Sequence, residues 1–314
     1  MTTITRREVL GAVALSAAPS AARAANTGKP VLSLFSKPLS FIPVDRLGAA
    51  VKEIGFGAID LAVRLGGHIE PARVREDLPR GVRAIRASGV EVSMITTGIV
   101  DAATPYAEEI IATMTDLGIT RYRFGGFRWA SGIPFERQIE SFRPRSAALA
   151  DLNRRHGATA MYHTHSGVGL VGASIWDLHE IFRDLDPKFI GVNYDVGHAT
   201  VEGGLGGWID SFNITGTYLH GVALKDFLWE LDARSRWEPA WKPLGQGMVR
   251  FPQFFSMLRV AGFAGPMQLH FEYPLGGAEE GLKSGIGMSR DDIFAAMRRD
   301  LTTARGYMAT AGLS

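Results

Sequence analysis

The sequence predicts an α/β protein, a (β/α)8 TIM barrel forming a single domain behind an N-terminal signal peptide. Three observations carry that expectation. From Pro30 onward, eight short β-rich runs alternate with longer helical patterns, the order that produces parallel pairing. A chain of 314 residues has the length for one closed ring of eight such units. The first run continues into "LFSKPLSF", without the glycine-rich phosphate turn that marks the main rival, an open doubly wound sheet.

The first strand is expected at Val31–Phe35, an unbroken apolar-rich run, followed by a helical pattern at Asp45–Glu53. Ala58–Leu61 precedes a helix at Leu78–Ala87, and Val92–Thr97 precedes one at Pro105–Leu117. Both of these helices run into a glycine, in Ala87-Ser88-Gly89 and Asp116-Leu117-Gly118, as C-caps placed just before the next strand do. Arg121–Phe124 leads to Phe135–Arg155, and Thr159–Tyr162 to Ser174–Leu185. Gly191–Tyr194 and Leu219–Leu224 are strands six and seven; Phe251–Ala261, Met267–Phe271 and a helix from Arg290 to Tyr307 complete the pattern. The long Trp- and Pro-rich stretch Trp229–Gln246 is read as a loop that covers the site.

Residues 1–24 read as an address rather than as structure. Arg6 and Arg7 precede a short apolar run, Val9 to Ala18, and the small-x-small Ala22-Arg23-Ala24 suits signal peptidase. That run is too short to span a bilayer, and its order resembles a bacterial twin-arginine signal. The domains expected are therefore the signal at 1–24 and the barrel at 25–314, with the twin-arginine export machinery as a partner and a periplasmic or secreted location. Without Arg6, Arg7, Arg23 and Glu8, the formal charge falls from +2 to zero. That balance offers no case for nucleic acid, nor for a membrane once the signal is cleaved. The absence of cysteine excludes disulfides and thiolate chemistry, and 46% hydrophobic with 21% charged residues is ordinary for a globular chain.

Function in such barrels collects where strands end. The polar residues there are Asp60 and Arg64, Thr96 and Thr97, Arg123, His163 and His165, Asp195 and His198, Lys225 and Asp226, and Glu272. His163 and His165 share a face by strand periodicity. Asp195 ends the apolar "IGVNYD" and stands also where a helix N-cap would. A buried Glu272 after "GPMQLHF", or Lys225 after "HGVAL", needs an opposite charge beside it. Arg64, His68, Arg123 and Trp229 are the candidate substrate-binding residues, each with ordinary surface pairing or packing as its alternative. "PLGQGMV", Pro243 to Val249, is read as a tight turn rather than a phosphate cradle.

In order, "YHTHSG", "NYDVGH", "ALKDF", "PLGQGMV" and "LHFEY" resemble strands five to eight of the xylose-isomerase-like sugar isomerase/epimerase superfamily. Upstream, "GFGAIDL", "GGHIEPARVREDLP" and "VEVSMITTGI" are similar to strands two and three of its exported branch, so the resemblance spans roughly residues 30–310. It implies a divalent metal at the barrel mouth, held by a strand-five Glu, a strand-six Asp, a strand-seven His and a strand-eight Glu. Asp195 matches that Asp and Glu272 that final Glu; His198 matches the histidine that follows the strand-six Asp by three, and His165 the histidine of the strand-five Glu-x-His pattern. Two positions depart: His163 replaces the strand-five Glu, and Ala223 replaces the strand-seven His. His220, three residues earlier, lies on the opposite face by period two. The implied site is His163, Asp195 and Glu272 around Mn, Mg or Zn, or else Lys225 in the same space as a fixed charge.

The implied chemistry is proton abstraction next to a sugar carbonyl, with the enediolate stabilised by the metal or by Lys225. Glu272, Lys225, His198 and His165 are the candidate catalytic residues, and a small carbohydrate is the expected substrate. A keto-sugar or glycoside lyase or hydratase starts from the same carbanion and accommodates the loss of one carboxylate. A non-catalytic sugar-binding barrel is the alternative that Ala223 favours.

Overall fold

The computed structural model describes residues 28–314, so the signal expected at 1–24 lies outside the described residues. Eight strands close a parallel barrel: β1 (Val31–Phe35), β2 (Ala58–Val63), β3 (Glu91–Thr97), β4 (Arg121–Phe124), β5 (Thr159–His163), β6 (Ile190–Asp195), β7 (Leu219–Leu224) and β10 (Pro266–Leu269). Each pairs with its neighbours in sequence around the ring, and β1 closes it against both β2 and β10. All residues of β2 and of β6 are buried, as strands wrapped on both faces must be.

The outer layer comprises α1 (Val44–Ile54), α2 (Val74–Ala87), α3 (Ala107–Asp116), α4 (Phe135–His156), α5 (Trp176–Phe182), α6 (Val196–Gly203), α7 (Gly207–Thr215), α8 (Phe251–Val260) and α9 (Arg290–Ala311). In α1, Leu47, Val51 and Ile54 recur at helical spacing and bury against the barrel. Gly89 and Gly118, at φ of 76° and 77°, take the left-handed conformation after α2 and α3 that the sequence pattern implies. Among the described residues no helix is long and apolar enough to cross a membrane.

The structure departs from the sequence reading in two places. Between β6 and β7, α6 and α7 form where no helix was expected, because α6 begins directly on the last strand residue, Asp195, with no connecting loop to announce it. The stretch from Trp229 is no irregular loop either. It belongs to an antiparallel hairpin, β8 (Asp226–Leu231) with β9 (Trp237–Lys242), that begins just after β7. Trp and Pro at its alternating positions hide the strand pattern. Pro239 is tolerated because a two-stranded ribbon leaves many N–H groups without a ladder partner.

The hairpin is held at its base by one carboxylate. Asp226 accepts hydrogen bonds from the backbone N–H groups of Phe227, Gly245, Gly247 and Val249, at 2.8–3.1 Å. A β-carbon on Gly247 would lie 2.2 Å from Asp226 Oδ1, so only glycine lets the turn close. The "PLGQGMV" amides thus point at a protein carboxylate, which leaves no phosphate cradle there.

Candidate active site at the barrel mouth

Three strand ends deliver the central group. Lys225 follows β7, Asp195 ends β6, and Glu272 lies three residues beyond β10. The Lys225 side chain is 2% exposed, and its Nζ lies 2.8 Å from Glu272 Oε1 and 3.2 Å from Asp195 Oδ2. It also donates to His198 Nε2 at 2.7 Å. That bond places the His198 proton on Nδ1, which donates to Ser166 Oγ at 2.8 Å. Trp241 of β9 covers the ammonium, its ring centroid 4.9 Å from Nζ, and meets His198 edge-on. One buried cation therefore gathers two carboxylates, a histidine and a tryptophan.

Asp195 serves two elements at once. Its Oδ1 accepts the His198 N–H at 3.0 Å and so caps α6, and its own N–H donates to Thr164 Oγ1 at 2.9 Å. Its Oδ2 faces Lys225 and, at 3.6 Å, His163 Nε2, yet makes no well-directed hydrogen bond. Burial pushes the Asp195 carboxyl up to about 6, with Lys225 opposing the rise. For Glu272, burial acts upward too, but Lys225 and then His270 outweigh it and hold the group well below the ordinary carboxylate range. Its side chain is 27% exposed, so this carboxylate is the one of the pair that opens toward the cup.

The histidines beside it are neutral. Burial, then Arg123 and His270, depresses His163 far below the ordinary imidazole value; burial and Lys225 do the same to His198 and, less strongly, to His165. The His165 and His198 rings lie 3.7 Å apart between centroids. His163 accepts from Asn193 Nδ2 at 3.3 Å through Nδ1, which leaves Nε2 turned to Asp195.

His270 is the residue the sequence reading missed. It lies two positions before Glu272, on the same face by strand periodicity, stacks on His163 at 5.3 Å and on Phe35 at 4.7 Å, and is driven by burial to about 3. Neither ring nitrogen makes a well-directed hydrogen bond, and Nδ1 lies 3.7 Å from Glu272 Oε1. Ligand atoms of His163, Asp195 and His270 lie within 4.8 Å of one another. His163 and Asp195 of the expected trio stand together and His270 joins them, while Glu272, beside His270, turns to Lys225. Two neutral imidazoles and a carboxylate oxygen that lacks a well-directed hydrogen bond are a donor set that suits a borderline divalent cation, so the residues present fit a metal, with Lys225 3.2 Å from the same carboxylate oxygen as its competitor. His220 points elsewhere, to the carbonyl of Pro187 at 2.5 Å.

The remaining candidates divide. Arg123, with His163 and His165, lines a cavity of about 250 Å³ that runs over Gly125 and Gly126 to Tyr162, at the small end of ligand pockets. Arg64 and Arg123 lie over the Phe35 ring, at 5.6 and 5.9 Å from its centroid. His68 is turned away to the carbonyl of Leu39 at 3.1 Å, outside the charged group. Trp229 is 39% exposed on the hairpin, edge-on to Phe227. The tryptophan that reaches Lys225 is Trp241, opposite Phe227 in the hairpin register.

A closed parallel barrel whose strand ends converge on ionisable groups is the architecture of enzymes that act on small molecules. The chain belongs to the xylose isomerase-like TIM barrel family, whose model matches residues 49–291. No curated protein matches the chain significantly. Among solved structures it is similar to an L-ribulose 3-epimerase (16% identity, 90% of this chain and 95% of that one, TM-score 0.66). It is also similar to the 3-keto-D-glucoside 4-epimerase YcjR from E. coli (15%, 88% and 100%, 0.62). A third is the probable 3-DHS dehydratase AsbF from Bacillus anthracis (16%, 87% and 98%, 0.63). At such identities these likenesses speak for the fold.

Proposed function

We propose that this protein is a sugar isomerase/epimerase-like enzyme that removes a proton from the carbon next to a sugar carbonyl. One observation carries the reading: a buried lysine ammonium shared by two carboxylates from separate strands, joined through His163 and His165 to a cavity of about 250 Å³ that those two histidines line. In a substrate bound beside this group, Glu272 is the ionised base that takes the proton, and Lys225, its donors directed at Glu272, Asp195 and His198, supplies the fixed positive charge near which enediolate charge develops. Such aimed charge is commonly the largest single contribution to catalysis. His198, fixed as the Nδ1 tautomer, holds Lys225 in place, and His165 stacks behind it. Family membership and the epimerase neighbours support the substrate class.

His163, Asp195 and His270 are the residues that would hold a divalent cation, and their imidazole content favours Mn or Zn over Mg. When bound, such an ion supplies additional positive charge to a carbonyl oxygen. A lyase or hydratase is the second reading, favoured by one feature. The cavity is lined by the neutral His163 and His165 and by no carboxylate, which does not supply the two opposed bases of an epimerase.

The test is solvent deuterium incorporation into a panel of ketoses and keto-sugars by the purified protein. Exchange into recovered sugar is expected. Glu272→Gln should lower it by about 10²–10⁴-fold, the usual share of a general base, with binding retained. If the variant turns over normally, Glu272 is not the base; if the wild type exchanges no sugar of the panel, the barrel is a binding module rather than this enzyme.

Residues 1–24 are proposed to direct the folded chain through the twin-arginine pathway to the periplasm or beyond. Arg6→Lys with Arg7→Lys should strand it in the cytoplasmic fraction, and unchanged export would refute the assignment.

A further inference from the structure

The reading above leaves two cations unused. Arg123, at the wall of the cavity, and Arg64, which reaches the same Phe35 ring from a cleft lined by Gly98 and Ile99, flank the mouth without any ion pair within 4 Å or hydrogen bond to a described residue. Both side chains are half-buried, so guanidinium donors that face a cavity rather than a protein partner are free to receive a ligand. The carboxylate that draws both most strongly, ahead of Glu272, is Asp60. That carboxyl is buried beneath them, bonded instead to Thr96 Oγ1 at 2.7 Å, with Oδ1 unpartnered. Burial raises it to about 7, so near neutrality it compensates the guanidinium groups only in part.

The charge count has the same sense. Lys225, Arg64 and Arg123 face Asp195 and Glu272, and Lys225 is already the partner of both carboxylates. The surplus is one positive charge with Asp60 protonated and none with it ionised, and a divalent ion would add to it. We infer that the substrate carries a carboxylate, held by Arg123 with Arg64 as the flanking charge, so that the protein acts on a sugar acid rather than on a neutral sugar. A planar guanidinium matches a carboxylate in a two-point contact. A phosphate is the less suitable anion here: its second charge exceeds the surplus, and the turn amides that could cradle it are taken by Asp226.

This inference rests on the proposed function for the site's location, but its test needs no turnover. Binding to the full protein is measured by calorimetry for D-gluconate, D-glucuronate, D-galacturonate and 2-keto-D-gluconate. Each is compared with its uncharged counterpart (glucitol, glucose, galactose, fructose), alongside glucose 6-phosphate and inorganic phosphate. At least one acid should bind about ten-fold or more tightly than its neutral partner, the discrimination expected of a hydrogen bond between charged groups. Arg123→Gln should abolish that preference, and Arg123→Lys should keep part of it. No preference for any acid overturns the inference, as does preferential binding of the phosphorylated sugar, or a preference that survives Arg123→Gln. Failure of the carbanion chemistry would register separately, as an acid that binds but takes up no solvent deuterium.

Discussion

Lys225 is the residue on which the mouth depends. Its ammonium pairs with Asp195 and Glu272 at once, and both carboxylates are drawn from strands that would otherwise bring like charges together. Lys225→Met should therefore act twice. Turnover should fall by about 10²–10³-fold, the cost of losing one aimed donor, and chemical denaturation should show a loss of about 3–5 kcal/mol from the stranded carboxylates. Asp60 gives a prediction with a definite sign. Its folded value of about 7 lies above the ordinary 3.8, so the folded chain holds this proton more tightly than the unfolded one. The stabilising contribution is complete below 3.8 and is lost as pH rises through 7. Between pH 5 and pH 8, urea midpoints of the wild type should fall relative to Asp60→Asn by an amount on the order of a few kcal/mol. A constant gap would mean that Asp60 is not the titrating group.

At the level of elements, the hairpin β8–β9 behaves as a fitting attached to the barrel through one side chain. Asp226→Ala would leave the buried amides of Gly247 and Val249 without acceptors, at about 1–3 kcal/mol each. It would also release Trp241 from Lys225 and His198. The expected result is early hydrogen exchange confined to 226–249, with the barrel strands still protected; uniform exchange would show that the hairpin is not a separate unit. The barrel strands were readable because apolar runs of four to seven residues between helical patterns have few other interpretations. The hairpin and α6 were not, for opposite reasons. Trp and Pro obscure the alternation in one, and in the other a strand passes into a helix at Asp195 with no turn residue between them.

For the whole molecule, ring closure brings positions 163, 195, 225, 270 and 272 into one neighbourhood. It also makes the metal question a property of the assembled cup. If a cation is held, elemental analysis of purified protein should find about one equivalent, the occupancy of a single site. His270→Ala should remove it as completely as Asp195→Ala, while Glu272→Gln should leave it in place. Loss with Glu272→Gln and retention with His270→Ala would restore the trio expected from the sequence.

The order of strands, the residues at their ends and the departure at Ala223 were settled by local pattern, since periodicity and the strand-end rule act over a few residues at a time. Partnership was not. Whether Glu272 faces a histidine cluster or an ammonium, and whether Trp241 or Trp229 covers it, depends on the register of strands 30 to 75 residues apart and on where the hairpin folds back. No short-range pattern encodes those relations, because they arise only when the sheet closes and distant ends are forced to share one small volume.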